Sequence, residues 1–157
     1  MTATGARGSV AWRLALRVMY RFLRLVDPLI RRSLRMGVGG LDGVVAVHIA
    51  GRRSGRDRST LVTLLGVGGE WYIGHPNGAT GWTRNAEAAG IVRIDPPAAD
   101  GDTFSVVRLS AGPERDSVIR ATRTQQPFPG NLVYRAASRH IAAVGVYFRL
   151  VPSADDV

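Results

Sequence analysis

The first regular pattern in the chain is a row of polar residues at helical spacing inside an apolar segment. Between Val10 and Val26 the polar positions are Arg13, Arg17, Arg21 and Arg24. Because each residue of an α-helix advances by about 100°, these four side chains form one narrow stripe beside a broad apolar surface. The pattern predicts an amphipathic helix over residues 10–26. Asp27 and Pro28 suit an N-cap and a first helical position, so we expect a second helix that ends near Met36.

Beyond residue 37 the apolar runs become short and alternate with Gly- and Pro-rich turns, a pattern typical of β-strands. The predicted strands are Val44–Ala50, Arg58–Leu65, Glu70–Gly74, Ile91–Asp95, Thr103–Leu109 and Gly145–Val151. The predicted helices are Trp82–Ala89, Pro113–Arg123 and Leu132–Arg139. We expect the first three strands to pair in succession. The order favours a mainly β (α+β) fold, a small antiparallel barrel with packed helices. It divides the chain into a basic helical segment, 1–36, and a single domain, 37–157.

Composition narrows the chemistry that the chain can perform. All 21 basic residues are arginine and cysteine is absent, which excludes lysine Schiff bases, thiol catalysis and disulfides. Residues 1–36 carry eight arginines and one acidic residue. The basic character therefore belongs to the N-terminal helix, and the rest of the chain is nearly neutral.

Two roles stay open for this helix. Its apolar side and arginines suit an anionic membrane surface, or the helix covers one end of the core with its arginines in solvent. Its four charges exclude a transmembrane span, and no cleavage site of a secretory signal follows it. A broad apolar face does not suit a nucleic-acid backbone, so we expect no nucleic-acid partner. We expect a cytoplasmic protein with contact to the inner face of the membrane through residues 10–26.

The densest cluster of charge in the remaining chain lies in the segment 51–60, at a turn between two predicted strands. Gly55 suits the positive φ that a tight hairpin requires. The turn carries four arginines, Arg52, Arg53, Arg56 and Arg58. Guanidinium groups this close repel one another unless an anion lies between them, and arginine prefers phosphate and carboxylate. The segment therefore predicts a clamp for an anion.

Familiar catalytic sets are missing from the sequence. His48 lies in an apolar strand and His140 near a helix end, so His75, in a loop of Gly, Pro and Asn, is the histidine best placed for a site. No histidine pair has metal-ligand spacing, and no metal site is expected. This pattern argues against hydrolysis and fits a protein whose chemistry comes from a bound cofactor.

Two motifs together carry a resemblance. The run Gly51-Arg52-Arg53-Ser54-Gly55-Arg56-Asp57-Arg58, followed by a hairpin and by Gly81-Trp82-Thr83-Arg84-Asn85, resembles the deazaflavin-dependent nitroreductase family, split β-barrel oxidoreductases known from actinobacteria. The resemblance spans roughly residues 44–110. It implies hydride transfer from reduced coenzyme F-420, with FMN as the second choice of cofactor, to a quinone-like or nitroaromatic small molecule. The alternative is a non-catalytic split barrel that binds a flavin, haem or fatty acid at the membrane surface. A homodimer is also compatible with the resemblance.

The resemblance also assigns residues. Arg53 and Arg58 match the cations that hold the phosphate and carboxylates of the cofactor tail, and Asn77 stands where members of the family commonly have a basic residue. Tyr134 is the candidate for a substrate-facing hydroxyl, or else an ordinary helix residue packed on the barrel. The full set of implied cofactor-binding residues is Arg52, Arg53, Ser54, Gly55, Arg58, Thr60, Leu61, Gly74, His75, Pro76, Asn77, Trp82 and Asn85.

Overall fold

The computed structural model of the chain describes residues 9–35, 43–98 and 101–153. The helices in these ranges are α1 (Val10–Arg35), α2 (Gly81–Ala89), α3 (Pro113–Gln125), α4 (Gly130–Ala136) and α5 (Ser138–Val144). The strands are β1 (Val44–Ala50), β2 (Asp57–Thr63), β3 (Leu65–Val67), β4 (Glu70–His75), β5 (Ile91–Ala98), β6 (Gly101–Arg108) and β7 (Val146–Pro152).

All seven strands belong to one antiparallel sheet in the order β2-β1-β5-β6-β7-β4-β3. Its two edge strands, β2 and β3, are consecutive in the chain and are separated only by Leu64. The sheet therefore curls until its edges approach each other, as in a barrel that is left partly open. This architecture confirms the predicted α+β fold, a split β-barrel with helices packed on it.

Alternating strand residues fill two separate cores. The interior of the barrel holds side chains such as Val47, Ile73 and Phe148, and α2 closes it with Ala86. The neighbouring residues Tyr72 and Tyr147 point the other way, into an outer core beneath α3, α4 and α5. The outer core contains Tyr134 and packs against Trp12 of α1.

α1 differs from its prediction. It is one helix of 26 residues that passes through Pro28, so the predicted break at Asp27 and Pro28 is wrong. Asp27 accepts a hydrogen bond from Arg31 Nε at 3.1 Å, one turn further along, and this i,i+4 pair favours a continuous helix over a cap. The predicted helix end at Met36 and the predicted boundary between 36 and 37 lie outside the described residues.

Three other predictions were wrong in detail. The predicted strand Arg58–Leu65 is divided at Leu64, and β4 pairs with β3 and β7 rather than with β2. The bend allows the chain to cross from one edge of the sheet to the other. The predicted helix Leu132–Arg139 consists of α4 and α5, which meet at Ala137.

Candidate functional site

The hairpin between β1 and β2 forms the tight turn that the sequence predicts. Gly51 N–H donates to Arg56 O at 2.9 Å, and Gly55 N–H donates to Gly51 O at 2.7 Å. Gly55 has a φ of 65°, which confirms its predicted conformation. A side chain at Gly51 would meet Ser54 Oγ and Arg58 Nε at 3.0 and 3.1 Å. The glycine therefore leaves room for Arg58 to lie against the turn.

One arginine of the hairpin, Arg52, forms hydrogen bonds with residues of α2. Arg52 Nη1 donates to Asn85 Oδ1 at 3.1 Å and to Gly81 O at 3.5 Å, and the Arg52 backbone N–H approaches the same Asn85 oxygen at 3.4 Å. These contacts join the hairpin to the beginning of α2. The structure thus brings together two residues that come from separate sequence motifs.

The other arginines of the hairpin are exposed. Among the residues that the structure describes, the side chains of Arg53, Arg56 and Arg58 take part in no hydrogen bond or ion pair. The nearby carboxylate of Asp57 lies 3.2 Å from His48 Nδ1 instead. The tip of the hairpin therefore presents three guanidinium groups whose charge is not compensated by a hydrogen-bonded partner. We call these three residues the arginine clamp.

His75 lies at the end of β4 between two aromatic rings. The Tyr20 ring of α1 is 4.7 Å from the imidazole between centroids, and the Trp82 ring of α2 is 6.5 Å from it. Trp82 in turn packs on Phe148 in the barrel interior. His75 Nδ1 accepts a hydrogen bond from the Asn77 N–H at 3.2 Å. Burial lowers the pKa of His75 to about 4, so the imidazole is neutral near pH 7.

Asn77 connects α1 to the rest of the protein. Its Nδ2 donates to Arg13 O at 3.1 Å, and its Oδ1 lies 2.9 Å from His140 Nε2. Both ends of the side-chain amide are therefore used in contacts within the protein. An asparagine suits this position because a single amide can donate to a carbonyl and accept from an imidazole.

Tyr134 is buried in the outer core, and its hydroxyl lies 2.9 Å from the Tyr20 hydroxyl. Burial raises the pKa of Tyr134 well above its usual value and raises the pKa of Tyr20 to about 12. Both hydroxyls therefore keep their protons near neutral pH. The hydroxyl of Tyr134 faces Tyr20 of α1, whose ring also contacts His75. Tyr134 thus packs in the outer core, as one of the two alternatives expects, and its role as a substrate-facing hydroxyl stays a prediction.

Sequence analysis missed Tyr20. Trp12, Leu16 and Tyr20 recur every four residues and form the side of α1 that faces the body of the protein. This spacing is present in the sequence, next to the stripe of arginines on the helix surface. The i, i+4, i+8 series is the signal that would have found Tyr20.

The remaining predicted cofactor-binding residues lie on β2, on β4 and directly after β4. Gly74 is paired with Tyr147 across β4 and β7, and a side chain at Gly74 would overlap the Tyr147 ring. Thr60 lies opposite Val47, and Leu61 lies opposite Ala46, in the pairing of β1 with β2. Pro76 is buried.

The candidate site thus consists of two groups of residues that α2 connects. One is the arginine clamp with Ser54, Gly55, Arg52 and Asn85. The other, which we call the aromatic site, comprises Tyr20, His75, Asn77, Trp82 and Tyr134. Tyr20 fills the space beside His75. A cavity of about 320 Å³ lies elsewhere, between β6, the beginning of α3 and Arg149.

Acidification is expected to destabilise the protein through His75. The unfolded histidine titrates near pH 6.5, whereas the folded one does so near 4. In this window the unfolded chain binds the extra proton, so the free energy of unfolding falls as the pH decreases. Between about pH 7 and pH 5 the loss from this group is about 2 kcal/mol. Urea unfolding at the two pH values measures it.

The variant His75→Phe isolates this effect, because phenylalanine keeps a ring between Tyr20 and Trp82 but does not titrate. Its free energy of unfolding should depend less on pH than that of the wild type. His48→Phe is the matched control, since His48 is partly exposed. If His75→Phe had the same pH dependence of the free energy of unfolding as the wild type, His75 would not be the group that causes it.

Comparisons with known proteins agree on the fold. No protein-family model matches the chain, and no curated protein matches its sequence. An F420-H2 dependent reductase, FDR-A, is 17% identical with a TM-score of 0.51, over 70% of this chain and 95% of that one. The heme storage protein HutZ from Vibrio cholerae is 13% identical with a TM-score of 0.52, over 82% and 90%. A domain-swapped dimer is 17% identical with a TM-score of 0.51, over 80% and 98%. At these identities the likeness shows the split-barrel fold, which serves both redox and binding proteins.

Proposed function

We propose that this protein is an oxidoreductase that uses reduced coenzyme F-420 to reduce a quinone-like or nitroaromatic small molecule. The observation that carries the proposal is the arginine clamp, three exposed guanidinium groups without a partner among the described residues, joined through α2 to an aromatic site. The tail of the deazaflavin bears a phosphodiester and carboxylates, the anions that arginine binds best. The shared fold with an F420-H2 dependent reductase supports the same reading.

The residues present fit the two ends of such a cofactor to different degrees. Arg53, Arg56 and Arg58 fit its anionic tail. The Gly55 N–H is already bonded within the turn, so guanidinium groups rather than this amide would bind the anion. At the other end His75 and Trp82 offer aromatic surfaces for a planar ring, but in the described conformation Tyr20 lies on His75.

When bound, the deazaflavin supplies the hydride. The chain supplies orientation and an environment with little water. Trp82 and His75 form the wall of the aromatic site, and the neutral imidazole adds no charge there. The hydroxyl of Tyr134 remains protonated, so it can donate a hydrogen bond to a carbonyl or nitro oxygen of an acceptor.

Fluorescence titration with F-420 tests the proposal directly. We expect the fluorescence of F-420 to be quenched with saturation below about 100 μM, the range of a modest cofactor affinity. The absence of a change up to that concentration would contradict the proposal. Parallel titrations with FMN, haemin and a fatty acid test the alternative of a non-catalytic binding protein, which the heme storage neighbour makes worth testing.

We also propose that the outer side of α1 contacts an anionic membrane surface through residues 10–26. Opposite the side that faces the body, α1 carries an apolar stripe whose members are 60% to 78% exposed: Leu14, Val18, Phe22, Leu25 and Leu29. Arg17, Arg21 and Arg24 lie along one edge of this stripe. No helix in the described ranges is long and apolar enough to cross a membrane. The arrangement is that of a helix lying in the interface.

Co-sedimentation with vesicles should show binding that requires phosphatidylglycerol. Replacing both Phe22 and Leu25 with serine is expected to weaken it at least about tenfold, since burying each apolar side chain contributes on the order of 1.5–3 kcal/mol. Ile91→Ser, which changes an exposed apolar residue of β5, is the control. Equal binding of all variants would contradict the proposal.

The cytoplasmic location and the homodimer remain predictions.

A further inference from the structure

We propose that α1 is a displaceable cover of the aromatic site, and that a planar ligand reaches His75 and Tyr134 only when α1 moves away. The identity of that ligand rests on the proposed function, whereas the cover itself rests on the contacts of α1. These contacts are few, and two of the three polar ones lie at the aromatic site.

α1 is attached to the body of the protein at isolated points. Among its side chains that the structure describes, Leu16 is the only apolar one that is fully buried. The polar contacts are the Tyr20–Tyr134 hydroxyl pair, the bond from Asn77 Nδ2 to Arg13 O, and the bond from Arg31 Nη1 to Ser59 Oγ at 2.8 Å. Besides Leu16, Trp12 packs against the outer core and the Tyr20 ring contacts His75. A helix held by one row of side chains is expected to detach at a lower cost than unfolding of the sheet.

The surface beneath α1 contains polar atoms that the closed conformation leaves without partners. Tyr147 Oη and His140 Nδ1 are buried and have no hydrogen-bond partner, and the two side chains are 1% and 2% exposed. Burial is the main cause that raises the pKa of Tyr147 and lowers the pKa of His140, and the charge of Arg13 on α1 lowers the pKa of His140 further. A buried polar atom without a partner is unfavourable, and displacement of α1 gives both atoms access to water or a ligand.

Tyr20 takes the place that a planar ligand would need. Its ring is 4.7 Å from the His75 ring, and its hydroxyl is 2.9 Å from that of Tyr134. A planar ring with a hydrogen-bonding oxygen, placed against the His75 ring and bonded to Tyr134, would replace both contacts. The ligand and Tyr20 therefore exclude each other, and α1 and the ligand compete for one site.

Carbethoxylation by diethylpyrocarbonate, read by peptide mass spectrometry, measures the cover without any cofactor. The chain has three histidines. His75 and His140 lie beneath α1, and His48 is partly exposed and serves as the internal reference. In Tyr20→Ala we expect both covered histidines to be labelled at least tenfold faster relative to His48 than in the wild type. Phe22→Ala, a change on the exposed side of the same helix, should leave the ratio unchanged.

Hydrogen exchange of the wild type provides a test that does not depend on the folding of a variant. If α1 detaches alone, its amides exchange while those of β7 remain protected. Equal protection of α1 and β7, or labelling of His75 in Tyr20→Ala at the wild-type rate, would overturn the proposal that α1 is a displaceable cover. Faster labelling together with F-420 binding at least tenfold tighter in Tyr20→Ala supports both proposals. Faster labelling without F-420 binding in either protein supports the cover and rejects F-420 as the cofactor.

Discussion

Replacement of Arg58 by alanine is expected to weaken F-420 binding roughly 10- to 100-fold. A hydrogen bond between charged partners contributes about 1.5–3 kcal/mol, and Arg58 lies against the turn beside Gly51, where its guanidinium is positioned toward the hairpin. Since Arg58 has no hydrogen-bonded partner among the described residues, its removal should leave the fold intact. Fluorescence titration gives the change in Kd, and circular dichroism checks the fold.

Two further variants make this prediction specific. Arg120→Ala removes the same charge from α3, where Arg120 Nη2 donates to Ser117 Oγ, and should leave the affinity unchanged. Arg58→Lys keeps the charge but loses the bidentate geometry, so an intermediate affinity is expected. Added salt should reduce binding further because the clamp is exposed. Wild-type affinity in Arg58→Ala would show that the clamp does not hold the cofactor.

Gly74→Ala is expected to destabilise the protein by about 3 kcal/mol, at the upper end of the usual cost of overpacking. The ring of Tyr147 lies directly against Gly74. It cannot easily move away, because its other side packs on Gly145, where a side chain would meet Tyr147 Cε2 at 2.8 Å. For a chain of this length the loss corresponds to a decrease in Tm of about 10 °C. Thermal unfolding measures it.

Gly81→Ala is the matched control. A side chain at Gly81 meets no atom within 4 Å, and alanine favours the helix that begins there, so its Tm should be unchanged or higher. Adding Tyr147→Ala to Gly74→Ala removes the overlap and should make the two effects non-additive. If Gly74→Ala retained the wild-type Tm but lost F-420 affinity, Gly74 would instead act in binding, as the family resemblance implies.

The strands were the most predictable part of this protein. β1 has the predicted bounds, Val44–Ala50, because a run of β-branched residues between turn signals is a local pattern. Gly55 adopts the predicted positive φ for the same reason. The predicted break at Pro28 was wrong because Asp27 and Pro28 form only a local cap signal. The long helix on both sides and the Asp27–Arg31 pair outweigh this signal.

The sequence by itself determined the succession of short strands and helices, the hairpin with its arginines and the amphipathic character of the first helix, because each depends on residues that are close along the chain. Only the tertiary structure decided which residues meet. It joined Arg52 to Asn85 and placed Tyr20 on His75 and Tyr134. Such contacts depend on how the sheet curls and where α1 crosses it, and these are set by packing between distant segments. The packing of α1 thus places Tyr20 against His75 and Tyr134, a contact between segments more than 50 residues apart.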